Sequence, residues 1–310
     1  MLNEIKNKLL ITEVLSLYMN KLSLLKIIKY SKKSQELFNI TIDDYKNIST
    51  IIIELIYDKS YSESSLFVNY EQRYKPYFHV FFNDEKKEQE YPTNINLELL
   101  DSIKHFVRSK ITNKKKEIVK GYTPPNKEIK KIKIVIDYQV TSLRGLFKNC
   151  CFKEINFIQF YRKNIVDMSQ MFYNTDIDKD KYVFNNFVTV NVTNMSEMFA
   201  SCEYLKTINL SNFDTRNVTD MGFMFSRCER LKSLDLTMFK TDNLIRMDKM
   251  FSECQELEDV NLSSFNTSKV ISMSELFAEC TKLKNINLKN FNADNLLYTD
   301  RKSTRLKSSH

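Results

Sequence analysis

The sequence predicts an α/β solenoid, a curved stack of 26-residue coils with a mixed α+β cap domain at its N-terminal end. Three observations predict it. Cys202, Cys228, Cys254 and Cys280 stand 26 residues apart, and the columns Met195/Met221/Met247/Met273, Phe199/Phe225/Phe251/Phe277 and Leu205/Leu231/Leu257/Leu283 keep the same interval. Part of each unit alternates as a half-buried strand does. Another part repeats at steps of three and four, as a helix face does.

The strand expectation rests on LKTINLSNF, Leu205 to Phe213, where Ile208 and Leu210 alternate with polar neighbours. Val218, Met221, Phe225 and Cys228 then recur on helical spacing, so each coil is expected to be a strand plus a short helical return. Ser142, Asp167, Asn194, Asp220 and Ser272 precede these returns as N-cap types. The pairs Asp167/Gln170, Asn194/Glu197 and Ser272/Glu275 have capping-box spacing. Upstream, Met168, Met171 and Phe172 fit the register with Thr175 or Asp176 in the Cys slot, and Leu143, Leu146, Phe147 and Cys150 fit one unit earlier. About five coils and an incomplete sixth are expected, each burying its neighbour's apolar face.

The pattern in NMSEMFASCEYLKTINLSNFDTRNVTDM, Asn194 to Met221, closely resembles the BspA-like leucine-rich repeats of bacterial surface proteins, mycoplasma lipoproteins and protist proteins. The resemblance covers roughly half the chain. It implies a curved leucine-rich-repeat solenoid used for adhesion or protein binding. A surface adhesin is accordingly one alternative, although the first residues, with Glu4 and Glu13, lack the basic and apolar regions of an export signal.

Residues 1–57 read as a helical segment, with Leu10, Val14, Leu17 and Tyr18 on one stripe and LLKIIKY starting a second helix after Ser23. Their order resembles an F-box, which would imply a substrate adaptor of a ubiquitin ligase; the leading Leu-Pro and the Trp of that module are absent, and a helical cap is the simpler expectation. Residues 58–110 read as a small α+β segment, with two strands around a turn at Lys75 and Pro76 and a helix near Leu97 to Lys110. A basic linker, 111–131, follows, and then the repeats, 132–299, entered by a strand from Ile132 to Val140 that shields their open edge. Residues 300–310, DRKSTRLKSSH, break the repeat and resemble read-through of a sequencing-library adapter.

Composition narrows the function. The charge of +8 falls to 43 basic against 38 acidic residues once 300–310 are set aside, so no nucleic-acid partner is expected. No apolar run approaches the roughly 18 residues of a membrane span. With three glycines, no phosphate loop, no nucleophile elbow and no metal-binding spacing, neither enzyme activity, a cofactor, a metal nor a small-molecule substrate is expected. The six cysteines read as core residues, and His79 and His105 have no partner motif. The expected function is a cytoplasmic, non-enzymatic protein-protein interaction scaffold. The outward columns of the strand face are its candidate partner-binding residues: Thr207, Ser233, Asp259 and Asn285, then Asn209, Asp235, Asn261 and Asn287. The second of these columns also reads as a structural Asn/Asp ladder bonded along the stack.

Overall fold

The computed structural model describes residues 50–57, 66–71, 78–83, 118–122, 129–137, 139–175, 182–184, 187–288, 290–292 and 294–296. The chain divides into two compact units, Met1–Thr50 and Ile51–His310. The F-box-like helices, the helix expected at 97–110 and the adapter-like tail lie outside the described residues.

The cap begins where a helix was expected to end. Ile51, Ile52 and Ile53 form a β-branched run, which favours extended backbone, and Ile51–Ile56 is strand β1. Its odd residues are fully buried and its even residues half-buried, as a two-residue period requires. Strands β2 (Leu66–Glu71), β3 (Phe78–Phe82), β4 (Ile118–Tyr122), β5 (Lys131–Ile136), β6 (Glu154–Gln159) and β7 (Tyr182–Val183) follow. They form a five-stranded sheet ordered β3-β5-β1-β6-β7 and a separate pair, β2-β4. The two strands expected in 65–82 are present, yet they do not pair with each other: β2 pairs β4, which lies inside the stretch read as a linker, and β3 pairs β5. The edge of the first repeat strand, β6, is covered by β1 running antiparallel, with β5 one place further out. Buried Arg162 ties the two parts together by donating to the carbonyls of Ile136, Asp137 and Val140.

The expected solenoid of strands with helical returns does not hold. Among the described residues there is no helix, only strands gathered in sheets and linked turns. Each return contains two residues, four apart, in the left-handed region: Gly145/Asn149, Gln170/Asn174, Glu197/Ser201, Phe223/Arg227, Lys249/Glu253 and Glu275/Glu279, with φ between 50° and 62°. Left-handed residues at this interval cannot belong to a right-handed helix. They instead turn alternate N–H groups out of the unit. In the return after Arg246, the N–H groups of Met247, Lys249, Phe251 and Glu253 donate to the carbonyls of Ser272, Ser274, Leu276 and Ala278 in the next unit, at 2.7–3.0 Å. The intervening N–H groups of Met250, Ser252 and Cys254 close turns within their own unit at 3.1–3.3 Å. Parallel bridges link Ser142, Asp167, Asn194, Asp220, Arg246 and Ser272 in succession.

The expected N-caps are acceptors, but for turns. Asp167 accepts from the N–H and hydroxyl of Ser169, at 2.9 and 2.7 Å, and Asn194 from those of Ser196, at 2.9 and 2.8 Å. The capping-box side chain of Gln170 reaches along the stack to Glu197, at 3.0 Å, and not back to Asp167.

The core is a set of columns. The rings of Phe147, Phe172, Phe199, Phe225, Phe251 and Phe277 stack face to face with centroids 5.3–5.9 Å apart. Met195, Met221 and Met247 are fully buried beside them, and each such side chain contributes roughly 1.5–3 kcal/mol by leaving water. The buried hydroxyls of Thr189, Thr215, Thr241 and Thr267 each donate to a carbonyl 25 residues on and accept from the N–H of that same residue.

Candidate functional site

Strands β8 (Ser233–Asp235), β9 (Asp259–Asn261) and β10 (Asn285–Asn287) form a parallel three-stranded sheet. The register sets Ser233 beside Asp259 and Asp259 beside Asn285; Asp235, Asn261 and Asn287 form the second row. Leu234 and Val260 between them point into the core. Six of the eight candidate residues are thereby gathered on one exposed face. Thr207 and Asn209 are exposed one unit earlier, on irregular backbone outside this sheet, joined to it by Lys232 N–H donating to Lys206 O at 3.3 Å.

The face is polar and largely preset. The carboxylate of Asp235 accepts from the N–H of Thr237 at 3.0 Å and from its hydroxyl at 2.7 Å, and these two bonds hold its pKa below the usual carboxylate value. Asn209 and Asn261 accept in the same way from the N–H groups of Ser211 and Ser263. The bonds of Asn209, Asp235 and Asn261 therefore cap turns within units and do not form the ladder along the stack that was one reading of this column. In the other row, the amide of Asn285 donates to Asp259 at 2.6 Å. A shallow groove of about 1260 Å³ covers the sheet, with Asp235, Asn261, Lys284 and Phe291 in its lining.

Larger side chains stand at the margins of this face. The guanidinium of Arg230 sits 4.8 Å from the ring centre of Tyr204, and Tyr204 is half exposed. In the same column Lys282 pairs with Glu256 at 2.7 Å, and two residues on Lys284 pairs with Glu258 at 2.8 Å. Past the strand, Met238 is 60% exposed, the most exposed of the large apolar side chains described. Tyr, Arg and Met are types that anchor interfaces. The sequence reading missed these three by weighing only columns inside the strand. The available signal was their bulk at positions where other units carry Glu, Lys, Ser or Asn.

The remaining candidates for chemistry are occupied by structure. The thiols of Cys202, Cys228, Cys254 and Cys280 donate to the carbonyls of Phe172, Phe199, Phe225 and Phe251, and Thr175 fills the same slot by donating to Phe147 at 2.8 Å. All six cysteines are free, and burial pushes the Cys228 and Cys254 thiols well up and that of Cys280 to about 11. His79 faces Asp137 at 3.4 Å on the sheet edge. A second depression is lined by Asn191, Asn217 and Asn243, whose amides donate to the carbonyls of Lys163, Val190 and Arg216. No group of three or more His, Cys, Asp or Glu side chains suited to a metal ion occurs among the described residues. Among those residues, no helix is long and apolar enough to cross a membrane.

No curated protein and no solved structure matches the chain. A family profile does, over residues 141–235 and 193–303, which together span more than half of the 310 residues and coincide with the stacked units. The chain therefore belongs to the family described as Mycoplasma protein of unknown function, DUF285.

Proposed function

We propose that this chain is a non-enzymatic protein-binding scaffold whose docking surface is the β8-β9-β10 face together with the Tyr204/Arg230 pair and Met238. The observation that carries the reading is the exposed parallel face of small polar side chains, its geometry fixed by turn-capping bonds, with bulky anchors at its margin. A preset polar surface loses little side-chain entropy when a partner arrives, and a stacked Tyr–Arg pair supplies the area that small residues lack. The finer assignment, to the BspA-like leucine-rich type, rests on the L-x-x-I-x-L spacing in Leu205 to Leu210.

The test is photo-crosslinking in the source cell with the reactive group at Thr237, comparing the unaltered chain with the double variant Arg230→Glu/Met238→Asp. The reading requires a discrete protein adduct that the double variant loses while its unfolding midpoint stays unchanged. An adduct of equal yield in the variant places binding elsewhere.

A further inference from the structure

The depression lined by Asn191, Asn217 and Asn243 crosses five successive units and encloses about 670 Å³. It lies within the stack and not at an end of it, since the same column continues at Asn295, whose amide donates to Ser268 O. Stacking fixes its hydrogen-bond chemistry. The amides of Asn191 and Asn217 are anchored on Lys163 O and Val190 O, both at 2.7 Å, which directs their oxygens away from those carbonyls. The hydroxyl protons of Thr193 and Thr219 are spent on Val166 O and Thr193 O, at 3.2 and 3.1 Å. No donor among the described residues meets the side-chain oxygens of Asn191 and Asn217, so the middle of the depression presents two unmet acceptors. Its ends are cationic and aliphatic. Lys163 and Lys269 line the first and last units, no acidic residue lines the depression, and neither lysine pairs with a carboxylate among the described residues. Elsewhere on the stack Lys249, Lys282 and Lys284 are each neutralised by a glutamate of a neighbouring unit. Val166 and Ile245, beside the two lysines, are 45% and 38% exposed.

We propose that this depression binds an extended acidic peptide, with a carboxylate side chain at each end and aliphatic side chains between them. Four steps of 5.3–5.9 Å, measured at the phenylalanine column, separate the Lys163 unit from the Lys269 unit. The span is about 22 Å, which seven residues of extended chain cover at about 3.3 Å each. Main-chain N–H groups on one edge of such a chain recur at about 6.6 Å, within about 1 Å of the 5.7 Å step between the Asn191 and Asn217 units. Two successive N–H groups therefore reach the two unmet oxygens, while the terminal carboxylates meet Lys163 and Lys269 and the aliphatic side chains cover Val166 and Ile245. A polyanion fits less well: it brings no aliphatic side chain to Val166 and Ile245, and two lysines about 22 Å apart leave its intervening charges unmet. The site shares no residue with the β8-β9-β10 docking face and does not rest on that reading.

The probe is the fluorescein-labelled, blocked peptide Glu-Ser-Val-Ser-Val-Ser-Glu, titrated into the full chain and followed by anisotropy. Saturable binding is expected, weakened about tenfold in Lys163→Glu/Lys269→Glu and recovered in that variant by the peptide carrying Lys in place of both Glu. Both lysines are exposed, so the double variant is expected to keep its unfolding midpoint. The variant Arg230→Glu/Met238→Asp is expected to bind the acidic peptide as the unaltered chain does. No saturable binding, equal binding of the acidic and lysine peptides by the unaltered chain, or loss of binding in Arg230→Glu/Met238→Asp overturns the proposal. A heparin oligosaccharide that binds more tightly through the same two lysines makes a polyanion the occupant and also overturns it.

Discussion

The main-chain N–H of Asn69 donates to the carbonyl of Leu146 at 2.7 Å, in the place that the preceding unit's N–H holds in each later return. One cap residue thus supplies two of the four donors that a preceding repeat unit gives, its side chain taking the neighbouring carbonyl of Lys148. Replacing Asn69 by Ala keeps the first bond and leaves the Lys148 carbonyl without its amide donor, at a cost of about 1–2 kcal/mol. Asn69→Asp is expected to cost more, because an acceptor then faces an acceptor. Urea unfolding of both variants, with hydrogen exchange across residues 143–150, checks the order.

The buried hydroxyl of Thr241 donates to Asn266 O at 3.2 Å and accepts from Asn266 N–H at 2.7 Å. Thr241→Val matches its shape but strands both groups of Asn266, so a loss of about 2–3 kcal/mol is expected. Thr241→Ser keeps the hydroxyl and is expected to lose less than about 1.5 kcal/mol. Equilibrium unfolding with an unchanged denaturant slope distinguishes the two.

The left-handed residues explain why the returns were misread. Apolar residues at steps of three and four fit a helix and fit a chain of linked turns equally well, and left-handed backbone usually declares itself by Gly or Asn. Here only Gly145, Asn149 and Asn174 carry that signal; the other nine such positions in the returns hold Gln, Glu, Ser, Phe, Arg or Lys. Their strain, roughly 1–2 kcal/mol each, is offset by N–H groups aimed at the next unit, a relation between units that no single window of sequence displays. The 26-residue register, the buried Met, Phe and Cys columns and the exposed face at Ser233, Asp259 and Asn285 were legible because they depend on spacing alone. The sheet partners of β2 and β3 were not, since the pairing is between residues far apart in sequence, Leu66 with Tyr122 and Phe78 with Ile136.

Ser201 gives a direct check of that strain, with φ of 59° and its N–H donating to Ser226 O at 2.7 Å. Ser201→Asn places a residue that tolerates this conformation and is expected to raise the melting temperature. Ser201→Val places a β-branched side chain there and is expected to cost about 1–2 kcal/mol, measured by calorimetry.

The buried thiols give a pH prediction. Burial raises the folded pKa of Cys150, Cys228 and Cys254, and that of Cys280 to about 11, so the folded chain holds these protons more tightly than the unfolded chain. Their contribution to stability is present in full below the ordinary thiol pKa of about 8.5 and is lost as pH rises toward the folded values. Unfolding midpoints are expected to fall between pH 8.5 and 11. Replacing Cys228 and Cys254 by Ala is expected to flatten that fall, and an equal slope in the double variant would count against it.

The proposed docking face joins β8, β9 and β10 with the Tyr204/Arg230 margin. The most direct measurement is the crosslink yield from Thr237 in the source cell for the unaltered chain and for Arg230→Glu/Met238→Asp. One protein adduct is expected, lost in the double variant with the fold intact. No adduct from the unaltered chain, or one indifferent to the double substitution, contradicts it.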